Sequence, residues 1–109
     1  MTVWRFWESE NVGKEWLAQP TSLSTYVEYE SLSAGGRPEW RRLMVVTKSW
    51  LTSYLSNVKL GATGPLWAVI PTVLVLPDAE GEALRQILDA TMQQGGFDLY
   101  SVPIAMSSA

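Results

Sequence analysis

The chain of 109 residues is long enough for one compact domain and too short for two ordinary ones. It contains no His and no Cys, which excludes Ser-His-Asp and Cys-His catalysis, thiolate or imidazole metal sites, disulfides and a histidine pH switch. Eight Lys and Arg against eleven Asp and Glu give a net charge of −3, so phosphate attraction is weak overall, and 47% apolar residues argue against disorder.

Residues 1–10 hold no apolar run of signal-peptide length, so no cleaved leader is expected there. Within them, Val3-Trp4-Arg5-Phe6-Trp7 is aromatic and interrupted by a single charge, which predicts a short strand. Ser9 can then cap a helix with Val12, Trp16 and Leu17 on one side, although Gly13 lowers its propensity. Pro20 and its polar neighbours mark a loop.

Residues 25–32 alternate as a strand, with Tyr26, Glu28 and Glu30 on one face and Val27, Tyr29 and Ser31 on the other. Residues 39–46 form the next strand, and Ala34-Gly35-Gly36-Arg37-Pro38 between them predicts a β-hairpin. Two registers fit, with Glu30 opposite Arg41 or opposite Arg42, and a one-residue slip exchanges the faces. Either one sets a carboxylate against a guanidinium, worth ~0.2–1 kcal/mol.

Thr47 or Ser49 can cap a second helix in which Trp50, Leu51, Tyr54, Leu55 and Val58 recur at helical spacing, a pattern that predicts core packing. Gly61 and Gly64 then end the helix; because they precede a strand, they do not make a phosphate-cradling loop. Residues 66–76 read as a strand apolar on both faces, with Pro71 marking a bulge, an edge or a crossing into a second strand. Asp78 is the expected N-cap of the best-patterned helix, which runs to about Gln94 with Leu84, Ile87, Leu88 and Met92 as its stripe and Gly95-Gly96 as its stop. Residues 97–102 read as a last strand, and residues 103–109 as a frayed tail of a single domain spanning 1–109.

The expected architecture is α+β, a mostly antiparallel sheet of about five strands with two or three helices in the order β-α-β-β-α-β-α-β. Through Leu76 this matches the split βαββαβ order of ferredoxin-like domains, in element order alone, with a helix and strand appended. The longest apolar stretch is far short of the ~20 residues of a membrane helix, so a cytoplasmic protein is expected, with neither membrane nor nucleic acid as partner.

Chemistry-bearing patterns are sparse. Arg37, Arg41 and Arg42 beside Trp40 could hold a phosphate or stack on a base, but Glu28, Glu30 and Glu39 offer them ion-pair partners. The acidic run at Asp78, Glu80 and Glu82 lacks the spacing of a calcium loop and suits the start of a helix, so neither metal nor cofactor is expected. Glu28 and Glu30 could do acid-base work if one were buried, although an ion-paired face explains them as well. Six Trp are the most unusual feature; Trp50 and Trp67 fall in apolar segments expected in the core, and Trp4, Trp7 and Trp40 are less constrained.

Trp4, Trp7, Glu28, Glu30 and Trp40 are therefore the candidate binding residues, and no catalytic residue stands out. The preferred reading is a non-catalytic interaction domain that self-associates through an aromatic and aliphatic sheet surface or strand edge. Its alternative is a small-molecule binding domain with an aromatic-lined pocket for cationic or planar apolar ligands. An enzyme using Glu, Tyr or Asp acid-base chemistry ranks below both.

Overall fold

A computed structural model describes residues 1–32, 35–58 and 72–104. The elements follow the expected order: β1 (Trp4–Phe6), α1 (Glu10–Ala18), β2 (Thr25–Leu32), β3 (Pro38–Thr47), α2 (Lys48–Ser56), β4 (Val73–Leu76), α3 (Gly81–Gln94) and β5 (Val102–Pro103). The five strands make one sheet in which β1, β2, β3 and β4 are neighbours in chain order, while β5 joins β3 on the same edge as β4. The sheet is mixed, since β3 and β4 are parallel and the other pairings antiparallel. A split βαβ requires parallel strands around an inserted third; here β1 lies antiparallel beside β2 at the sheet edge, so the ferredoxin-like spatial order is not formed.

The hairpin register differs from both expected alternatives. Leu32 pairs with Pro38, which places Glu28 opposite Arg42 and Glu30 opposite Trp40. Pro38 is drawn into β3 as its first residue, a position where its missing amide donor is tolerated. With that register set, Phe6, Val27, Tyr29, Leu43 and Val45 all meet on one side of the sheet.

That side is covered by α1 and α3, whose Trp16, Leu17, Leu84, Leu88 and Met92 complete the core with Leu76. Burial of each α3 stripe residue contributes about 1.5–3 kcal/mol before chain entropy is set against it. Ser9 caps α1, its hydroxyl accepting from the Val12 amide at 3.3 Å. Gly13 is required rather than tolerated: a Cβ there would sit 2.1 Å from the Phe6 ring, so its absence lets α1 close on β1.

Several expectations are corrected here. Asp78 does not cap α3, which starts at Gly81 behind an N-cap, Glu80, that makes no side-chain cap bond. The turn after β4 instead brings Asp78 to the first turn of α2, where its carboxylate accepts from the Ser49 amide at 2.9 Å and hydroxyl at 2.6 Å. These two bonds lower the Asp78 pKa and complement the cap that Thr47 provides to the Trp50 amide. The apolar stripe of α2 is not core: no residue of this helix is buried, because α2 leaves directly from the end of β3 and sets Trp50 and Tyr54 beside Thr21 and Ser22. Residues 97–101 are a turn rather than a strand, and β5 includes Pro103, the residue expected to open the tail. Of the apolar stretch 66–76, only 72–76 are described; Trp67 and the Pro71 interruption lie outside the described residues. Leu74 and Leu76 of β4 turn toward the core, whereas Val75 is exposed, so the expectation of two sealed faces does not hold there.

Candidate functional site

The face of β1, β2 and β3 opposite the core is covered by neither α1 nor α3; Val46 at its β4 end is fully buried, so the face is accessible mainly at the end that carries Arg5, Trp7, Tyr26 and Trp40. Arg5, Glu28 and Arg42 form a direct cross-strand row at its centre. The Glu28 carboxylate accepts from Arg5 Nη2 at 2.9 Å and Nε at 3.1 Å, and lies 3.8 Å from Arg42 Nη2. Although Glu28 faces away from the core, its side chain is only 9% exposed, because two guanidinium groups and their aromatic neighbours enclose it.

Each guanidinium also lies over an indole. Arg5 reaches diagonally to Trp40, 4.0 Å from carbon to ring centroid, and Arg42 reaches back to Trp7 at 4.3 Å. Trp7 meets Tyr26 edge-on, with centroids 5.8 Å apart. The result is a continuous ladder, Trp40, Arg5, Glu28, Arg42, Trp7, Tyr26, in which each Arg-Trp pair lies on one side of Glu28. Cation–π contacts of this kind contribute ~0.5–1 kcal/mol each at exposed sites. Together they hold planar groups in fixed positions on the sheet surface.

Four of the candidate residues, Trp7, Glu28, Glu30 and Trp40, share this face. Glu30 is exposed opposite Trp40, and Glu28 is enclosed, so the pair serves different environments despite its spacing. Trp4 is not among them: it points to the helix side, packs against the core edge-on to Phe6, and donates its indole N–H to Asp89 on α3 at 2.7 Å. Arg5, Arg42 and Tyr26 complete the ladder and are not among the candidate binding residues expected from the sequence. The readable signal is Arg5 two residues before Trp7 and Arg42 two after Trp40, since that spacing places each pair on one face of a strand.

The shallow clefts around the ladder are mixed in character. One of about 430 Å³ lies beside β5 and is lined by Tyr26, Arg42, Leu43, Met44, Thr72, Tyr100 and Val102. Arg42 Nε is buried at this end of the ladder and makes no hydrogen bond among the described residues.

A second polar cluster ties the turn after α3 to the sheet. The Tyr29 hydroxyl donates to Asp98 Oδ1 at 2.7 Å and lies 2.7 Å from Ser101 Oγ. Ser31 donates to the other Asp98 oxygen at 2.7 Å, while Arg41 donates to Ser101 Oγ at 2.7 Å and to the Ser101 and Asp98 carbonyls at 2.8 and 3.0 Å. Burial raises the Tyr29 pKa to about 12, and the hydroxyl donors lower that of Asp98. A phenol held neutral and a carboxylate held ionised suit a fastening; neither is poised for proton transfer near neutral pH.

Among the described residues, no group of three or more carboxylates could hold a metal ion, and no helix is long and apolar enough to cross a membrane. No known family model matches the chain, and neither a curated protein nor a solved structure matches it.

Proposed function

We propose that the chain is a non-catalytic interaction domain, working in a cytoplasmic setting, that self-associates through the open face of its sheet. The observation that carries this reading is the ladder from Trp40 to Tyr26, a pre-ordered row of planar side chains on a face that α1 and α3 leave uncovered. Rigid aromatic and guanidinium groups lose little freedom on docking and are the residue types that dominate protein interfaces. The exposed Tyr26, Val75 and Val102 add apolar surface on the same face. A second copy suits this surface because two equal faces meet about a two-fold axis without a further partner.

Sedimentation equilibrium from micromolar to millimolar concentration tests this reading. A rise in mean mass toward twice the monomer value, weakened about tenfold or more in affinity by Trp7→Ala or Trp40→Ala, is expected. A monomer mass at every concentration would overturn it.

The cleft beside β5 favours one second reading, a site for a planar ligand between Tyr26 and Tyr100. A negative charge on that ligand suits Arg42, whereas a cation would meet Trp faces already taken by Arg5 and Arg42. Thermal shifts with planar carboxylates, absent in Arg42→Gln, are expected if this site is used.

A further inference from the structure

The segment after α3 is attached to the sheet in an unusual way. Its apolar side chains point mostly into solvent, with Leu99 at 90%, Val102 at 66% and Tyr100 at 58% exposure. Phe97, at its start, packs against the core. What holds the rest is directional: the bonds from Tyr29, Ser31 and Arg41 to Asp98 and Ser101, the short β5 pairing, and the Ile104 amide donating to the Trp40 carbonyl at 3.0 Å.

Each of these donors and acceptors on the receiving side belongs to β2 or β3, and each one on the segment lies within residues 98–104. The segment leaves α3 through the Gly95-Gly96 pair. Gly95 has φ 72° and ψ −164°, a region open essentially to glycine, and Gly96 has φ 88°. A Cβ at either would meet nothing within 4 Å, so these glycines serve the direction of the chain rather than close packing. A fastening of this kind does not distinguish a segment from its own chain from the same segment of another chain.

We propose that residues 97–104 are an exchangeable arm, which pivots at Gly95-Gly96 and fastens onto Tyr29, Ser31 and Arg41 of a second copy of this chain. Exchange of an identical element is a low-cost route to a dimer, because the same hydrogen bonds and strand pairing form whether the arm comes from its own chain or from the other. The arm also borders the proposed docking face: Val102 is the register partner of Arg42, and Tyr100 and Val102 line the cleft with Tyr26. Exchange therefore sets Tyr100 and Val102 of one copy beside the Arg42 end of the other copy's ladder. This inference rests on the self-association reading and specifies how the two copies are joined.

Isotope-filtered NMR on the full chain tests it. Uniformly ¹³C-labelled and unlabelled chains are mixed one to one, unfolded in urea and refolded together at a concentration where sedimentation gives the dimer mass. The diagnostic contact is between the Tyr29 ring and the Ser101 β-protons, since the Tyr29 hydroxyl lies 2.7 Å from Ser101 Oγ and the Tyr29 ring is buried away from the open face. A filtered cross-peak between labelled and unlabelled chains is the expected result. A dimer showing that contact only within one chain overturns the arm exchange and leaves the sheet-face reading standing. A monomer mass under all conditions overturns both.

Discussion

On the helix side of the sheet Val27, Leu43 and Val45 are sealed by Leu84, Leu88 and Met92, whereas one residue along the same strands Glu28 and Arg42 are enclosed by Arg5, Trp7 and Trp40. The first closure is an apolar layer supplied by distant segments of the chain. The second is built within the sheet, from cross-strand neighbours that pair charge with charge and cover charge with aromatic rings. Their energetic basis differs accordingly. Close-packed apolar burial carries stability, and the ladder, whose contacts are individually small and solvent-screened, carries shape and chemical identity.

If that contrast holds, damage to the two sides should differ in size. Leu88→Ala removes a fully buried side chain between α3 and the sheet and should cost about 2–5 kcal/mol in urea unfolding. A cost no greater than that of a ladder variant would break the comparison. Gly13→Ala forces the Phe6 ring from its place and should cost about 1–3 kcal/mol, moving the indole ¹H–¹⁵N signals of Trp4 and Trp16 while those of Trp7 and Trp40 stay in place. Glu28→Gln leaves Arg5 and Arg42 without their shared carboxylate and, since Arg5 is 59% exposed and its pairing screened by water, should cost only about 0.5–1.5 kcal/mol. A double-mutant cycle on Arg5 and Trp40 should give a coupling of only ~0.5–1 kcal/mol, and no coupling would remove the stacking from the account.

The last effect is confined to the extremes of pH and concerns the fastening of the arm. Burial pushes the Tyr29 phenol up from its ordinary 10.0 to about 12, so its contribution is intact below pH 10 and is lost as pH rises through the folded value. Asp98 has the opposite sign: its lowered pKa contributes stability above the ordinary value of 3.8 that is lost as pH falls below it. Unfolding free energies measured across pH should show both losses. Tyr29→Phe should flatten the alkaline one, and an unchanged alkaline limb in that variant would assign the loss to another group.

Much of this layout was legible because it depends on local pattern. Ser9 and Thr47 cap their helices as their positions suggest, and the Leu84, Leu88, Met92 stripe is buried as its spacing requires. Where choices depended on distant neighbours, the sequence was silent. Asp78 has a cap's residue type in a cap's position, yet the unsatisfied Ser49 amide of another helix claimed it. The α2 stripe repeats at the right interval, but periodicity shows which residues lie together and not what, if anything, covers them. The hairpin register turned on whether Pro38 joined the strand or the turn. Trp4 and Trp7 looked equivalent in one aromatic run, although their odd spacing already placed them on opposite faces.

The most direct test of the open face as a docking surface is the set of indole ¹H–¹⁵N signals followed on dilution from millimolar to micromolar concentration. Trp7 and Trp40 should shift with concentration, while Trp16 and Trp4, which are packed on the helix side, stay fixed. Static signals from Trp7 and Trp40 across that range, or movement confined to Trp4 and Trp16, would contradict the account.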